Sequence, residues 1–363
     1  MTDSPWQILD ARDHPWSVDA VVAIQRECET DTWGNADMAV PAPVWQARLA
    51  GTPDATHLLR LAVPAHAAQP GPDDVAGFWH AHLPRSGNTH LSHTDVEVRP
   101  ARRGVGTGAL LLADLERALA DEGRSTLITY VGAGPEPAPG PGALVAPTGN
   151  GRVAADVASS RFALAHGWTL EQVERHSVLV VPDDLAPFAA MREQALAAAG
   201  PEYRLHTWHD EIPEQWLDAM AVLFSRMVTD APSGALAYEP EPWDAERVRR
   251  WLRWTVVDRE EHVTFAVAEH VPTGVLAAHT ELVWSGPDES FAFQQATLVR
   301  ADHRGHRLGM AVKAANVLFT REHAPALRRI HTDNAEENAP MLAINVAMGF
   351  APAGVYAAWQ KRS

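Results

Sequence analysis

The sequence predicts two tandem α/β (α+β) domains, each a mixed, mostly antiparallel sheet flanked by helices. Three observations carry this. A chain of 363 residues is long for one compact domain and comfortable for two. Strand-like and helix-like segments are interleaved, with hairpin-like strand starts. The order of elements also repeats, most visibly in a glycine-rich loop. Its first copy is Val98-Arg-Pro-Ala-Arg-Arg-Gly-Val-Gly-Thr-Gly108 and its second is Val299-Arg-Ala-Asp-His-Arg-Gly-His-Arg-Leu-Gly309. Arg103 and Arg304 stand 201 residues apart.

Each half follows one sequence of elements. Residues 18–25 and 216–224 space apolar side chains three and four apart, as amphipathic helices do. Helical segments follow at 43–49 and 245–254, then apolar strand candidates at 57–63 and 262–268. A second strand starts from a glycine, at 77–83 and 274–282. The strand, loop and helix of the repeat come next, at 96–119 and 297–319. Strands at 126–131 and 329–332 precede short helices that end in Gly167-Trp168 and Gly349-Phe350. Strands at 177–181 and 354–359 close each half. Residues 182–201 read as a linker helix. The stretch 132–151, rich in Gly and Pro, reads as a mobile surface loop or a functional lid.

Composition narrows the function. Apolar content of 46% and charged content of 21% describe an ordinary globular protein. A formal charge of −16 argues against nucleic acid, which needs a basic stripe, and favours cationic substrates such as amines. Cys28 is the sole cysteine, so there is no intramolecular disulfide or cysteine-based metal cluster, and no metal is expected. No leader pattern opens the sequence and no apolar run is long enough for a bilayer, so the expectation is a cytoplasmic protein without membrane contact.

Backbone N–H groups at a glycine-rich helix start form an anion site. A P-loop would need Gly-Lys-Ser/Thr at the helix start, and neither copy has lysine there. Gly104-Val-Gly-Thr-Gly-Ala109 satisfies a dinucleotide fingerprint literally, but it lies far from the first strand and the second copy lacks it. Arg103-x-x-Gly106-x-Gly108, after Val96-Glu-Val-Arg-Pro100, resembles the acyl-CoA pyrophosphate loop of the GCN5-related N-acetyltransferases. Asn334-Ala-Glu-Glu-Asn338, with Met341, Asn345 and Gly349-Phe350, resembles the later strand–helix segment of that family. The resemblance covers both halves almost completely and is similar to two-domain actinobacterial acetyltransferases.

That resemblance implies acetyl-CoA as cosubstrate. Its pyrophosphate would lie on Arg103, Gly104, Val105, Gly106, Thr107 and Gly108 in the first half. In the second half it would lie on Arg304, Gly305, His306, Arg307, Leu308, Gly309 and Met310. Arg307 departs from the pattern, which expects its first glycine there. Val96 and Val98, or Leu298 and Val299, would meet the pantetheine arm. Asn334 and Asn338 would add contacts; capping the following helix is the other reading of Asn338.

Acetyl transfer to an amine needs a base. Aligning Gly77 with Gly274 sets His82 opposite His279 and Pro84 opposite Glu281, so only the second half offers a carboxylate there. Glu281 is the first candidate for general base, with a surface ion pair as its other reading. His279 is the second, or a packed strand residue. Asp95 and Glu97 alternate with Thr94, Val96 and Val98 and read as solvent-facing. The family often places a Tyr acid four residues before the Gly-aromatic pair, where this chain has Asn345 and, in the first half, Ala163. Tyr356 is a substitute acid or a packing residue.

The reading is an acetyl-CoA-dependent N-acetyltransferase that moves an acetyl group to a primary amine of a small molecule by direct attack on the thioester. Residues 1–185 form an N-terminal domain with a structural or regulatory loop, 186–202 a linker, and 203–363 the catalytic domain. The partner is a small-molecule amine, and the protein is a monomer or homodimer. The alternatives are an active site in the N-terminal half and a non-catalytic acyl-CoA-binding or assembly protein.

Overall fold

A computed structural model describes residues 5–286 and 288–362. The first half of the chain forms β1 (Trp6–Asp10), α1 (Ser17–Trp33), α2 (Ala42–Ala50), β2 (Ala55–Pro64), β3 (Gly77–Pro84), β4 (Leu91–Val98), α3 (Thr107–Asp121) and β5 (Thr126–Gly132). A small hairpin, β6 (Ala143–Val145) and β7 (Arg152–Ala154), precedes α4 (Ala158–Ala165), β8 (Thr169–Val180) and α5 (Ala186–Ala199). The second half forms β9 (Tyr203–His209), α6 (Leu217–Asp230), α7 (Ala245–Arg253), β10 (Glu261–His270), β11 (Val275–Ser285) and β12 (Asp288–Val299). It ends with α8 (Leu308–His323), β13 (Arg329–Ala335), α9 (Ala339–Met348) and β14 (Ala351–Arg362).

The chain divides into two compact units, and neither is continuous in sequence. The first takes residues up to Gly134, Ala154–Glu171 and the chain from Ala357. The second takes Pro135–Val153 and Gln172–Tyr356. A cut at residue 185 would therefore leave most of β8 outside the unit in which it pairs.

In the first unit the sheet runs β1-β2-β3-β4-β5, antiparallel except for the parallel pair β4–β5. Side chains alternate between its faces. One face packs Leu59, Leu61 and Phe78 under Ile24 of α1 and Trp45 of α2. Gly77 is required by close approach: a Cβ there would lie 2.4 Å from the carbonyl oxygen of Glu97. Lys361, in the C-terminal segment of this unit, reaches Glu116 Oε1 at 2.5 Å.

In the second unit the order is β8-β13-β12-β11-β10-β9, with β12–β13 parallel and the other pairs antiparallel. Val263, Phe265, Val267 and Val283 pack under α6 and α7 with Phe224 and Val248. The opposite face carries Leu282, Ala292 and Ile330 against Val317 of α8 and Met348 of α9. The expected linker helix is present as α5, and it is integral to this unit: Phe188 enters that core.

Two sequence expectations change here. The segment 132–151 carries β6 of a hairpin completed by β7, and Gly151, at φ +76°, approaches Val173 so closely that a Cβ would lie 2.6 Å from it. Arg152 also pairs with Glu136 at 2.8 Å. The opening strands of the two halves, β1 and β9, were not expected at all. Both are short sheet edges whose polar and apolar residues alternate over a few positions only.

Candidate active site

Both repeat loops are built alike. Strand β4 ends at Val98, a 3-10 turn covers Pro100–Arg102, and Gly104 and Gly106 take φ +78° and +89° to turn the chain into α3. After β12, the turn Ala301–His303 leads to Gly305 at φ +88° and Arg307 at +54°. Arg307 thus occupies the left-handed position held by Gly106, and the loop keeps its shape at the cost of roughly 1–2 kcal/mol of backbone strain. Neither α3 nor α8 has a side-chain N-cap. Their first N–H groups therefore remain available to an anion, in exposed loops that carry the positive end of the helix dipole.

The loop arginines act first on the fold. Arg103 Nε donates to Val98 O at 3.1 Å, and Arg304 Nε to Val299 O at 3.3 Å. Each closes its loop onto the end of the preceding strand. Arg103 also pairs with Asp31 at 2.6 Å. The free cationic group expected there for phosphate is already engaged, whereas Arg307 extends from an exposed position.

Beyond each loop the sheet opens. Strands β4 and β5 pair only at Leu91–His93 with Thr126–Ile128, and β12 and β13 only at Phe291–Gln294 with Arg329–Thr332. Past those points Val96, Val98 and Val299 carry backbone groups with no partner from the parallel neighbour, whereas Leu298 lies opposite His279 and turns its backbone to β11. A strand-like arm of a ligand fits such an edge.

In the second unit Glu281 sits on β11 at a bulge, 6% exposed, and its Oε1 accepts from Ala296 N at 3.4 Å. Its Oε2 is buried without a hydrogen-bond partner. Burial pushes this carboxyl up to about 7, against the opposing pull of the Ala296 N–H. Glu281 is therefore no surface ion pair; it is a buried carboxyl poised to exchange a proton near neutrality. His279 lies two residues away on the same face, fully buried, with its ring 5.5 Å from Phe224. Burial lowers it to about 4, so it stays neutral and packs.

The asparagines lie elsewhere. Asn345 is buried and donates from Nδ2 to Asn334 Oδ1 at 2.6 Å. Asn334 shares a sheet face with Ile330, in the core under α8 and α9, whereas Glu281 shares one with Val283, under α6 and α7. The structure therefore does not bring Asn334 and Asn345 to the carboxyl. Asn338 Oδ1 accepts from Met341 N at 3.4 Å and caps α9. The ring of Tyr356 meets that of His176 edge-on at 5.6 Å. His176 in turn pairs with Asp333 at 2.7 Å.

The register corrects the alignment of the halves. Gly77 faces Val98 and Phe78 faces Glu97, while Ala278 faces Val299 and His279 faces Leu298. The offset of 201 residues between the loops therefore persists into β3 and β11, and Glu281 corresponds to His80, not Pro84. The two aligned glycines do different work. Gly77 lies inside β3, whereas Gly274 sits in the turn before β11 at φ +66°.

The first unit is consequently better equipped than expected. His80 Nδ1 lies 3.2 Å from Asp95 Oδ2, and His80 Nε2 lies 3.0 Å from His57 Nδ1. Rings of His57, His82 and His93 stack across the same face. Glu97 does not face solvent: Gln25 Nε2 bonds its Oε1 at 2.9 Å and its Oε2 is buried without a partner. Burial raises the Glu97 carboxyl to about 8. Asp95 stays partly open, with 45% of its side chain exposed. The spacing of His80 and His82 places both on one strand face and was the available signal for this cluster.

In each unit strands open beside a glycine-rich helix start, and this is the fold of the tandem GCN5-related N-acetyltransferases. A tandem GNAT protein from the clavulanic acid biosynthesis pathway, solved without AcCoA, matches with a TM-score of 0.75 and 23% identity, over 98% of this chain and 98% of its own. A GCN5-related N-acetyltransferase from Sphaerobacter thermophilus matches with a TM-score of 0.63 and 13% identity, over 100% of this chain and 97% of its own. A putative acetyltransferase from Pyrococcus horikoshii gives 0.53 and 11%, over 100% and 91%. No family model and no curated protein matches the sequence. Among the described residues no helix is long and apolar enough to cross a membrane.

Proposed function

We propose that the protein is an acetyl-CoA-dependent N-acetyltransferase acting on a primary amine of a small molecule, with the reaction in the second unit. The observation that supports it most is Glu281, a buried carboxyl with one unpartnered oxygen, held by the strand that opens beside an uncapped helix start. The loop residues present suit the cosubstrate. A Cβ on Gly305 would meet nothing within 4 Å, so the loop leaves room for a pyrophosphate. N–H groups from Gly305 to Met310 would hold the phosphates, with Arg307 adding charge. Val299 would hold the pantetheine arm through its outward backbone groups, with Leu298 beside it in the same strand. Acetyl-CoA supplies an acetyl group activated as a thioester. Glu281, ionised above about pH 7, would take a proton from the substrate ammonium; the neutral amine then attacks the thioester carbonyl carbon, and the C–S bond breaks as the amide N–C bond forms. Asn345 is hydrogen-bonded inside the α8–α9 core and Tyr356 packs on His176, so neither is assigned as the acid. A thiolate leaves readily without one.

In this reading the first unit keeps an acyl-CoA-type loop in a structural or regulatory role, and the protein works in the cytoplasm as a monomer or homodimer without nucleic acid. A second reading places the chemistry in the first unit, and Glu97, raised to about 8 beside the opening of β4, favours it. The test is thiol release from acetyl-CoA over an amine panel, with Glu281→Gln and Glu97→Gln. Loss of turnover by two orders of magnitude or more, on the order expected for a missing base, in Glu281→Gln alone supports the first reading. Loss in Glu97→Gln alone moves the chemistry to the first unit. Tight CoA binding without turnover on any amine refutes the enzyme.

A further inference from the structure

The second unit carries a cluster that acyl transfer does not use. His209 ends β9, Asp210 follows it, and His262 lies near the start of β10. One donor atom from each lies within 4.8 Å of the others. Asp210 Oδ2 is 2.6 Å from His262 Nδ1 and 3.4 Å from His209 Nε2. The second carboxylate oxygen accepts from Val263 N at 2.7 Å, which fixes the side chain and aims Oδ2 between the two rings. His209 Nε2 is buried and makes no hydrogen bond. Asp210 holds φ +55°, a left-handed conformation that a non-glycine residue adopts at some expense.

We propose that His209 Nε2, Asp210 Oδ2 and His262 Nδ1 form a binding site for a divalent transition metal of the zinc type. Two imidazoles and a carboxylate suit such an ion. Around tetrahedral zinc, with bonds of about 2.0–2.1 Å, ligand atoms stand about 3.3 Å apart. The spacings from Asp210 Oδ2, 2.6 Å to His262 Nδ1 and 3.4 Å to His209 Nε2, bracket that value, and the ion would take the place of the His262–Asp210 hydrogen bond. The Val263 N–H on the other carboxylate oxygen is the kind of outer contact that orients a ligand. Water can reach the cluster, since 42% of the His262 side chain is exposed. His323 does not point at the ion; its ring stacks on that of His209 at 4.0 Å.

That stacking also fixes the location. His323 is the last residue of α8, and the phosphate loop precedes its first. Sixteen helical residues span about 24 Å, so this site lies at the opposite end of the helix from the loop. The ion would tie the ends of β9 and β10 together, and the inference stands apart from the acyl-transfer reading.

The test is titration of the full-length, tag-free protein with Co2+, whose tetrahedral complexes absorb strongly in the visible, followed by displacement with Zn2+. The expected result is a saturable band with one equivalent of ion. Asp210→Asn keeps the bond to Val263 and tolerates the left-handed backbone; His262→Gln alters a partly exposed side chain. Each should weaken binding at least about tenfold while circular dichroism remains unchanged. Absence of a saturable band in the wild type overturns the proposal. So does binding that survives both substitutions, which would assign the ion to other histidines among the 18.

Discussion

Replacing Glu281 by Gln should make the protein more stable at alkaline pH while it removes activity. The reason lies in the cost of charging a buried carboxyl. Burial moves Glu281 from an ordinary value of 4.5 to about 7. A group raised in the folded state contributes fully below its unfolded value and loses that contribution as pH rises through the folded one. Below about pH 4.5 the charge is absent from both states and the substitution should change little. Above about pH 7 the folded protein must ionise a carboxyl that water would stabilise better, and the difference reaches about 3 kcal/mol at 1.36 kcal/mol per pKa unit. Glutamine keeps an oxygen for the Ala296 N–H, so little else is lost. With roughly 2–4 °C per kcal/mol for a domain of this size, Glu281→Gln should melt roughly 6–12 °C higher at pH 8 and within a degree or two at pH 4.5. Differential scanning calorimetry of both proteins across that range is the assay. Equal melting at pH 8, or a uniform loss of stability at every pH, would refute the argument by showing that the ionised carboxylate has partners. The pH profile of kcat/KM gives a second check, rising through about 7 as the base form appears.

Lys313 invites the opposite pH dependence. It is 1% exposed, its ammonium faces the Phe350 ring at 5.1 Å, and burial lowers it to about 7. Its folded value lies below the unfolded one, so stability is present above about pH 10.5 and is lost as pH falls through about 7. Lys313→Met should stabilise by up to about 5 kcal/mol at pH 6, with the gap closing by pH 10 in denaturant titrations. Gly77→Ala should destabilise by about 1–3 kcal/mol, because the new Cβ would meet the Glu97 carbonyl at 2.4 Å. A wild-type melting temperature for Gly77→Ala would show that β3 and β4 can separate freely.

Much of this arrangement was legible in the residues. The loop repeat placed both strand–turn–helix units, and Glu281 was singled out from a strand alignment that the register then shifted by four residues. That shift had a physical source: a glycine that opens a turn and a glycine that admits a neighbouring carbonyl look identical in sequence. Glu97 was misread because alternation assigns a face but does not say what covers it; Gln25, 72 residues earlier, does. The pairing of Asn334 with Asn345, 11 residues apart, depends on how a helix folds back on its preceding strand, and the meeting of His262 with Asp210 joins strands 52 residues apart; no local period reports either.

The composition of the two units has a consequence in time. The first unit is finished only by residues from Ala357 onward, which are synthesised 186 residues after its preceding segment ends at Glu171. At translation rates of about 5–20 residues per second, that is roughly 10–40 s during which an otherwise complete unit waits for its final piece. The second unit faces no such delay, because Gln172–Val180 emerges before the rest of its sheet. The unit begun first should therefore be the last to be completed, once the residues from Ala357 onward have been made.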